Sequence, residues 1–129
     1  MTDQNLMRKS QLERFASKLF IKDTVHLRNT FTVLASPSWR GVEADIVLAT
    51  NSENSAIIKF YHNDTKFYVD YSAAMLAAEQ AGKLGVGPLV LDKSDADQII
   101  ALQELGSAWT AGGLHHILDP IIRQNIIRQ

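Results

Sequence analysis

The sequence contains no cysteine, and this absence excludes two kinds of site at once. Neither a disulfide framework nor a cysteine-ligated metal centre can form without thiols. Long apolar runs are absent too, because no uninterrupted hydrophobic stretch approaches the roughly 18 residues that a membrane-spanning helix needs. The first residues also lack the basic-then-apolar order of a signal peptide. We therefore expect a cytoplasmic protein with no membrane partner.

An excess of charge of one sign is equally absent. The chain has 13 Lys and Arg residues against 14 Asp and Glu, which gives a net charge of -1 at pH 7. A nucleic-acid-binding surface needs a basic patch, so we expect no nucleic-acid partner. A chain of 129 residues is long enough for one domain with a hydrophobic core.

Hydrophobic periodicity predicts the order of the elements. Apolar residues at helical spacing indicate an N-terminal amphipathic helix whose basic side chains face water. Three β-rich runs joined by short polar turns indicate an antiparallel meander. An alanine-rich helix and two more strands follow. A short C-terminal helix comes last, with Asp119 at its cap and Pro120 at its first position. The predicted elements are a helix over 3–22, strands over 24–36, 42–50 and 56–61, a helix over 66–84, and strands over 89–91 and 98–103.

We therefore expect an α+β fold, with an antiparallel five-stranded sheet and one packed helix. An N-terminal helix precedes this unit and a short C-terminal helix follows it. Asn63, Asp64 and Thr65 are polar residues suited to cap the packed helix. The segment 93–97 is rich in Asp and Ser, and this composition predicts a turn.

One lysine stands inside an apolar strand. Residues 56–61 read Ala-Ile-Ile-Lys-Phe-Tyr. Alternation places Ile57, Lys59 and Tyr61 on one face of the strand, and Ile58 and Phe60 on the other. A lysine is almost never fully buried unless it is paired. Lys59 therefore either reaches water from an edge strand or meets an anion, for which a phosphate in a cleft is a natural candidate.

Three short motifs carry a resemblance to a known family. They are Ala-Ile-Ile-Lys at 56–59, Gly-Val-Gly-Pro-Leu-Val-Leu at 85–91 and Ile-Ala-Leu-Gln-Glu-Leu-Gly at 100–106. In this order they resemble the small, N-terminal lobe of the aminoglycoside phosphotransferase and choline kinase superfamily, which has a protein-kinase-like fold. The resemblance implies a division of the chain. Residues 1–106 would be the small lobe with its N-terminal helix, and residues 107–129 the post-hinge segment and the start of a missing large lobe.

The resemblance also implies a nucleotide-binding site. Lys59 would contact the α- and β-phosphates of ATP, for which a compact ammonium is suited. Ile57 would line the adenine slot, with Leu102 behind the base. The backbone groups of Gln103 and Leu105 would pair with the adenine edge. The loop 36–41 would lie over the phosphates, although it has one glycine and reads equally well as a plain connection.

The family's packed helix carries a glutamate that holds the strand lysine. At the matching place this chain has Ala73 and Ala74. The nearest acids are Asp70 and Glu79, one on either side. A Lys59–Glu79 pair is therefore a hypothesis.

The residues that transfer phosphate in this family are not found. No His-x-Asp-x-x-x-x-Asn pattern follows Gly106, so we predict no catalytic residue, and Mg²⁺ would be held mainly by the missing lobe. His115 and His116 have no carboxylate at ligand spacing, so no metal site is predicted. The first interpretation is therefore that the chain is the ATP-binding small lobe of a phosphotransferase, which acts on the hydroxyl of a small molecule. This lobe would be truncated and inactive alone.

The alternative is a non-catalytic binding or assembly module on the same scaffold. A short helix with an exposed isoleucine face is marginal alone in water. The face around Ile122 and Ile126 would then contact a second chain, a large lobe or another copy of the same chain.

Overall fold

A computed structural model describes residues 3–20, 25–29, 44–106, 109 and 114–128. The five described strands form one antiparallel sheet in the order β1-β2-β3-β5-β4. The predicted α+β class is confirmed. The elements are α1 (Asp3–Leu19), β1 (His26–Asn29), β2 (Ala44–Thr50), β3 (Ser55–Tyr61), α2 (Tyr71–Lys83), β4 (Val90–Ser94), β5 (Ile99–Gln103), α3 (Leu114–Leu118) and α4 (Pro120–Arg128).

Helix α1 covers one face of the sheet. Phe15 and Ala16 are buried against side chains of β2, β3 and β5, and Leu12, Leu19 and Phe20 pack around them. These five apolar residues recur at helical spacing and form the buried stripe of the predicted amphipathic helix. Burying a phenylalanine-sized side chain contributes about 1.5–3 kcal/mol, so this stripe accounts for the docking of α1.

Helix α2 covers the opposite face through Tyr71, Met75 and Gly82, which are its buried residues. The helix begins at Tyr71, so the predicted start at residue 66 is wrong. Asp70 is the N-cap, and its Oδ1 accepts a hydrogen bond of 3.0 Å from the N–H of Ala73. Residues 63–65 form a separate 3-10 turn. The side chains at 67–69 are aromatic or β-branched, and such residues are weak helix formers.

The glycine-rich stop after α2 forms as the sequence predicts. Gly85 has a φ of +76°, a conformation that glycine adopts without steric cost. The N–H of Gly85 donates to the carbonyl of Gly82 at 3.1 Å, and the N–H of Val86 donates to Ala81 at 3.0 Å. These bonds satisfy carbonyl groups that the helix end leaves open. The chain is thereby turned towards β4.

Two strand predictions change. Strand β3 pairs with both β2 and β5, so the edge-strand interpretation of residues 56–61 is wrong. Strand β4 continues to Ser94, so the predicted turn over 93–97 is wrong at its start, and the turn lies at residues 95–98. The loop 36–41 lies outside the described residues, as does most of the predicted strand 24–36.

The C-terminal helix begins where predicted. Asp119 Oδ1 accepts hydrogen bonds from the N–H groups of Ile121, at 2.9 Å, and Ile122, at 3.3 Å. A short helix, α3, precedes it and was not predicted, because residues 107–118 show no clear period. The four isoleucines of α4 are exposed, at 37% for Ile122 and 56% to 76% for the others.

Candidate functional site

Lys59 lies in the middle strand of the sheet, on the face that α2 covers. Its directly paired neighbours are Ile46 on β2 and Ile100 on β5. Ile100 is 1% exposed and belongs to the apolar cluster under α2. Ile58 and Phe60 point the other way, into the cluster under α1. The alternation predicted for this strand is therefore confirmed, and the half-buried Lys59 emerges from an apolar surface.

The two residues assigned to an adenine slot lie side by side. Ile57 pairs directly with Leu102 across β3 and β5, although 45 positions separate them in the chain. Directly paired residues of antiparallel strands point to the same face. Ile57 and Leu102 therefore share a face with Lys59, and Leu102 packs against the cluster under α2. The sheet register thus brings a half-buried lysine and two apolar side chains onto one surface.

The segment assigned to the hinge leaves the sheet at Gln103. The N–H of Gln103 donates to the carbonyl of Leu89 at 2.8 Å. Its side-chain Oε1 accepts from the N–H of Leu89 at 3.4 Å. Leu105 is 40% exposed, and its peptide group makes no hydrogen bond to any described residue. Of the two proposed hinge residues, Leu105 is therefore the one whose N–H is open to a ligand.

Glu79 lies against a different lysine from the one hypothesised. Its Oε2 is 3.3 Å from the Nζ of Lys93 on β4, and both side chains are about three-quarters buried, at 27% and 29% exposed. The other candidate acid, Asp70, caps α2. Within the described part of the chain Lys59 forms no ion pair. The structure thus does not bring Lys59 and Glu79 together.

A second polar cluster joins α1 to the end of β3. Arg8 Nη2 lies 3.8 Å from Asp45 Oδ2 and donates to the carbonyl of Tyr61 at 3.3 Å. Its guanidinium stands 4.1 Å from the ring centre of Phe60. His62 Nε2 lies 3.6 Å from Asp45 Oδ1, and His62 is 4% exposed. The expectation that all basic residues of α1 face water is therefore wrong for Arg8. No sequence signal marks it, because its partners are distant in the chain.

A buried hydroxyl pair fixes the segment between β3 and α2. The hydroxyl groups of Thr65 and Tyr71 both donate to the carbonyl of His62, and their oxygens lie 2.8 Å apart. Tyr71 also stacks on Tyr61, with ring centres 5.0 Å apart. This network anchors the start of α2 over Tyr61, which lies two positions after Lys59 in β3.

An open groove of about 670 Å³ lies between this segment and the turn before β5. Residues 66–72, Asp95, Ala96 and Gln98 line it. Two of these lining residues, Phe67 and Tyr68, are 86% and 55% exposed, and their rings lie edge to face. None of the predicted site residues is among the groove's lining.

Comparisons of the chain with protein-family models, curated proteins and solved structures find no match. Among the residues that the structure describes, no three His, Asp or Glu side chains are placed to share a metal ion. No helix in the described ranges is long and apolar enough to cross a membrane.

Proposed function

We propose that this chain is the ATP-binding lobe of a small-molecule phosphotransferase. The observation that carries the proposal is the common surface formed by Lys59, Ile57 and Leu102. An ammonium beside two apolar side chains offers a phosphate partner and a base-stacking surface at neighbouring positions. Leu105, just beyond the end of β5, supplies an open backbone N–H for the adenine edge, with Gln103 next to the sheet.

The proposal is that these residues bind a nucleotide, and not that they transfer a phosphoryl group by themselves. Transfer needs carboxylates that hold Mg²⁺ and accept the proton of the attacking hydroxyl. The 129 residues contain no motif that supplies them. The reaction implied by the family, movement of the γ-phosphoryl group to a small-molecule hydroxyl, would therefore depend on a large lobe. The cytoplasmic location likewise stays a prediction.

The test is a titration of the full chain with ATP and Mg²⁺ in which NMR chemical shifts are the readout. We expect shifts at residues 57–59 and 102–105. Replacing Lys59 with Ala removes a charge-assisted hydrogen bond of about 1.5–3 kcal/mol, so affinity should fall about 10-fold or more. The exposed Lys66 loses the same charge in a Lys66→Ala control, which should bind as the wild type does. Equal affinity of Lys59→Ala and wild type would remove the phosphate role.

A second candidate function, an assembly module, rests on α4. Its four isoleucines are exposed in a helix of nine residues, and a helix of that length gains little stability from its own hydrogen bonds. Burial of Ile122 and Ile126 against another copy or a second chain would stabilise it. The nucleotide surface is not required for this function.

A further inference from the structure

One arginine lies in the same row of the sheet as the two apolar residues of the proposed base surface. The register runs from Arg28 of β1 to Leu48 of β2, and from Leu48 to Ile57 of β3. Ile57 is in turn the partner of Leu102 on β5. Directly paired residues of antiparallel strands point to the same face, so the whole row lies on the face that carries Lys59.

The residue before Arg28 gives the direction of its side chain independently. Leu27 packs against the apolar cluster under α1. Successive residues of a strand point to opposite faces, so Arg28 points away from α1 and towards the proposed nucleotide surface. Arg28 is exposed and forms no ion pair within the described ranges. No carboxylate in these ranges therefore neutralises its guanidinium.

The row places this guanidinium within reach of a base that lies on Ile57. Each step between directly paired residues is about 4.5–5.5 Å, so the Cα atoms of Arg28 and Ile57 lie about 10 Å apart. Leu48 lies between them and is 8% exposed. The apolar stem of an arginine packs along such a surface, which carries the guanidinium over Leu48 towards Ile57. Lys59 belongs to the next row, two residues further along β3. Arg28 is therefore aligned with the base, and Lys59 with the phosphates.

We propose that Arg28 is a base-binding residue whose guanidinium stacks on the purine of the nucleotide. This inference rests on the proposed nucleotide role of Lys59, Ile57 and Leu102. A guanidinium is planar and stacks on aromatic faces, whereas the ammonium of a lysine is a compact point charge. The purine would then lie between the apolar surface of Ile57 and Leu102 and the guanidinium of Arg28. The alternative is that Arg28 is a solvated charge that protects β1, the last strand of the described sheet, from pairing with another chain.

The first experiment compares ATP with inorganic triphosphate, which carries the phosphates but no base. Each is titrated with Mg²⁺ into the full chain, and the Hδ resonances of Arg28 are followed by NMR. The ring current of a stacked purine shifts these protons upfield, so ATP should move them and triphosphate should not. Triphosphate should still move the resonances of Lys59. Equal shifts of Arg28 with both ligands would place it at the phosphates and overturn the proposal.

The second experiment measures the affinities of both ligands in the wild type, Arg28→Ala, Arg28→Lys and Arg14→Ala. Arg28→Ala should weaken ATP binding about 5- to 30-fold, the range of a cation–π contact partly shielded from water, and leave triphosphate binding unchanged. Arg28→Lys keeps the charge but loses the planar group, so it should restore only part of the ATP affinity. Arg14→Ala removes the same charge from an exposed position of α1, on the other face of the sheet, and should bind both ligands as the wild type does. Equal weakening of ATP and triphosphate in Arg28→Ala, with full recovery in Arg28→Lys, would show a charge effect and overturn the stacking role.

The outcomes separate the two proposals. ATP that shifts residues 57–59 and 102–105 but binds Arg28→Ala as tightly as the wild type would uphold the nucleotide role and overturn the role of Arg28. An upfield shift of Arg28 in a chain whose Lys59→Ala variant binds ATP equally well would uphold the stacking contact and refute the phosphate role of Lys59. No shift at any of these residues with ATP would refute both. If Arg28→Ala fails to fold, the shifts of Arg28 in the wild type still decide.

Discussion

Replacing Met75 with Ala should destabilise the protein far more than the same truncation at the next residue. Met75 is 0% exposed and lies in the cluster between α2 and the sheet, with Tyr61, Tyr71 and Ile100. Truncation of a buried methionine removes its transfer free energy and leaves a cavity that its neighbours fill only in part. Such substitutions cost about 2–5 kcal/mol. Because Met75 has no exposed surface, a value inside this range is expected.

Leu76 provides the matched control. Truncation to Ala removes the same number of heavy atoms from the same helix, but Leu76 is 52% exposed. Full burial of a leucine is worth about 1.5–3 kcal/mol, so half-burial without a cavity should cost about 1 kcal/mol. The free energies of unfolding are measured by urea denaturation of the two variants and the wild type, with equal m-values as the condition for comparing them. The expected difference between the variants is about 1–4 kcal/mol.

Equal losses in the two variants would refute the placement of α2. They would mean that the helix is rotated about its axis or does not pack on the sheet. A larger loss at Leu76 would place the opposite face of α2 inward. The surface containing Lys59 would then have a different cover, and Glu79 would not be placed beside Lys93.

Two further predictions concern α2 and α4. Gly82→Ala should lower the free energy of unfolding, measured in urea, because the new Cβ would lie 2.8 Å from Pro88 O and 3.1 Å from Leu89 Cα. Such overpacking costs about 1–3 kcal/mol, which outweighs the preference of about 1 kcal/mol that alanine has over glycine in a helix. Ser72→Ala, on the exposed side of the helix, is the control, and a Gly82→Ala variant more stable than the wild type would contradict this geometry. If α4 is an assembly surface, the wild type should sediment as an oligomer and the Ile122→Asp, Ile126→Asp double variant as a monomer. The reason is that an unpaired carboxylate is too costly to bury in an apolar interface. A wild type that is already monomeric would exclude self-association through α4.

The sequence predicts the layers of this fold because each element carries its own period. The stripe of α1 and the alternation of residues 56–61 depend on helix and strand geometry alone. The cap of α4 depends on an Asp-Pro pair within one turn. The start of α2 is less certain from sequence, because both Asn63 to Thr65 and Asp70 offer capping side chains. The poor helix propensity of the residues between them decides in favour of Asp70.

The candidate site is predictable only in part. The sharing of one face by Ile57 and Lys59 follows from their spacing in one strand. The adjacency of Ile57 and Leu102 needs the register between β3 and β5, which no local pattern specifies. The cluster of Arg8, Asp45 and His62 is even harder to predict from the sequence. A basic residue on an amphipathic helix shows the same sequence pattern whether its side chain meets water or a distant carboxylate.

The placement of Lys93 depends on an irregularity in β4 that sequence periodicity does not reveal. Val90 pairs with Leu102, but Asp92 pairs with Ala101, so one extra residue is accommodated between them. Regular pairing from Val90 onward would set Asp92, rather than Lys93, opposite Ile100. A one-residue change of register turns every following side chain to the other face. Asp92 would then face α2, and its carboxylate would repel Glu79. The bulge therefore determines that α2 meets a cation, Lys93, at β4.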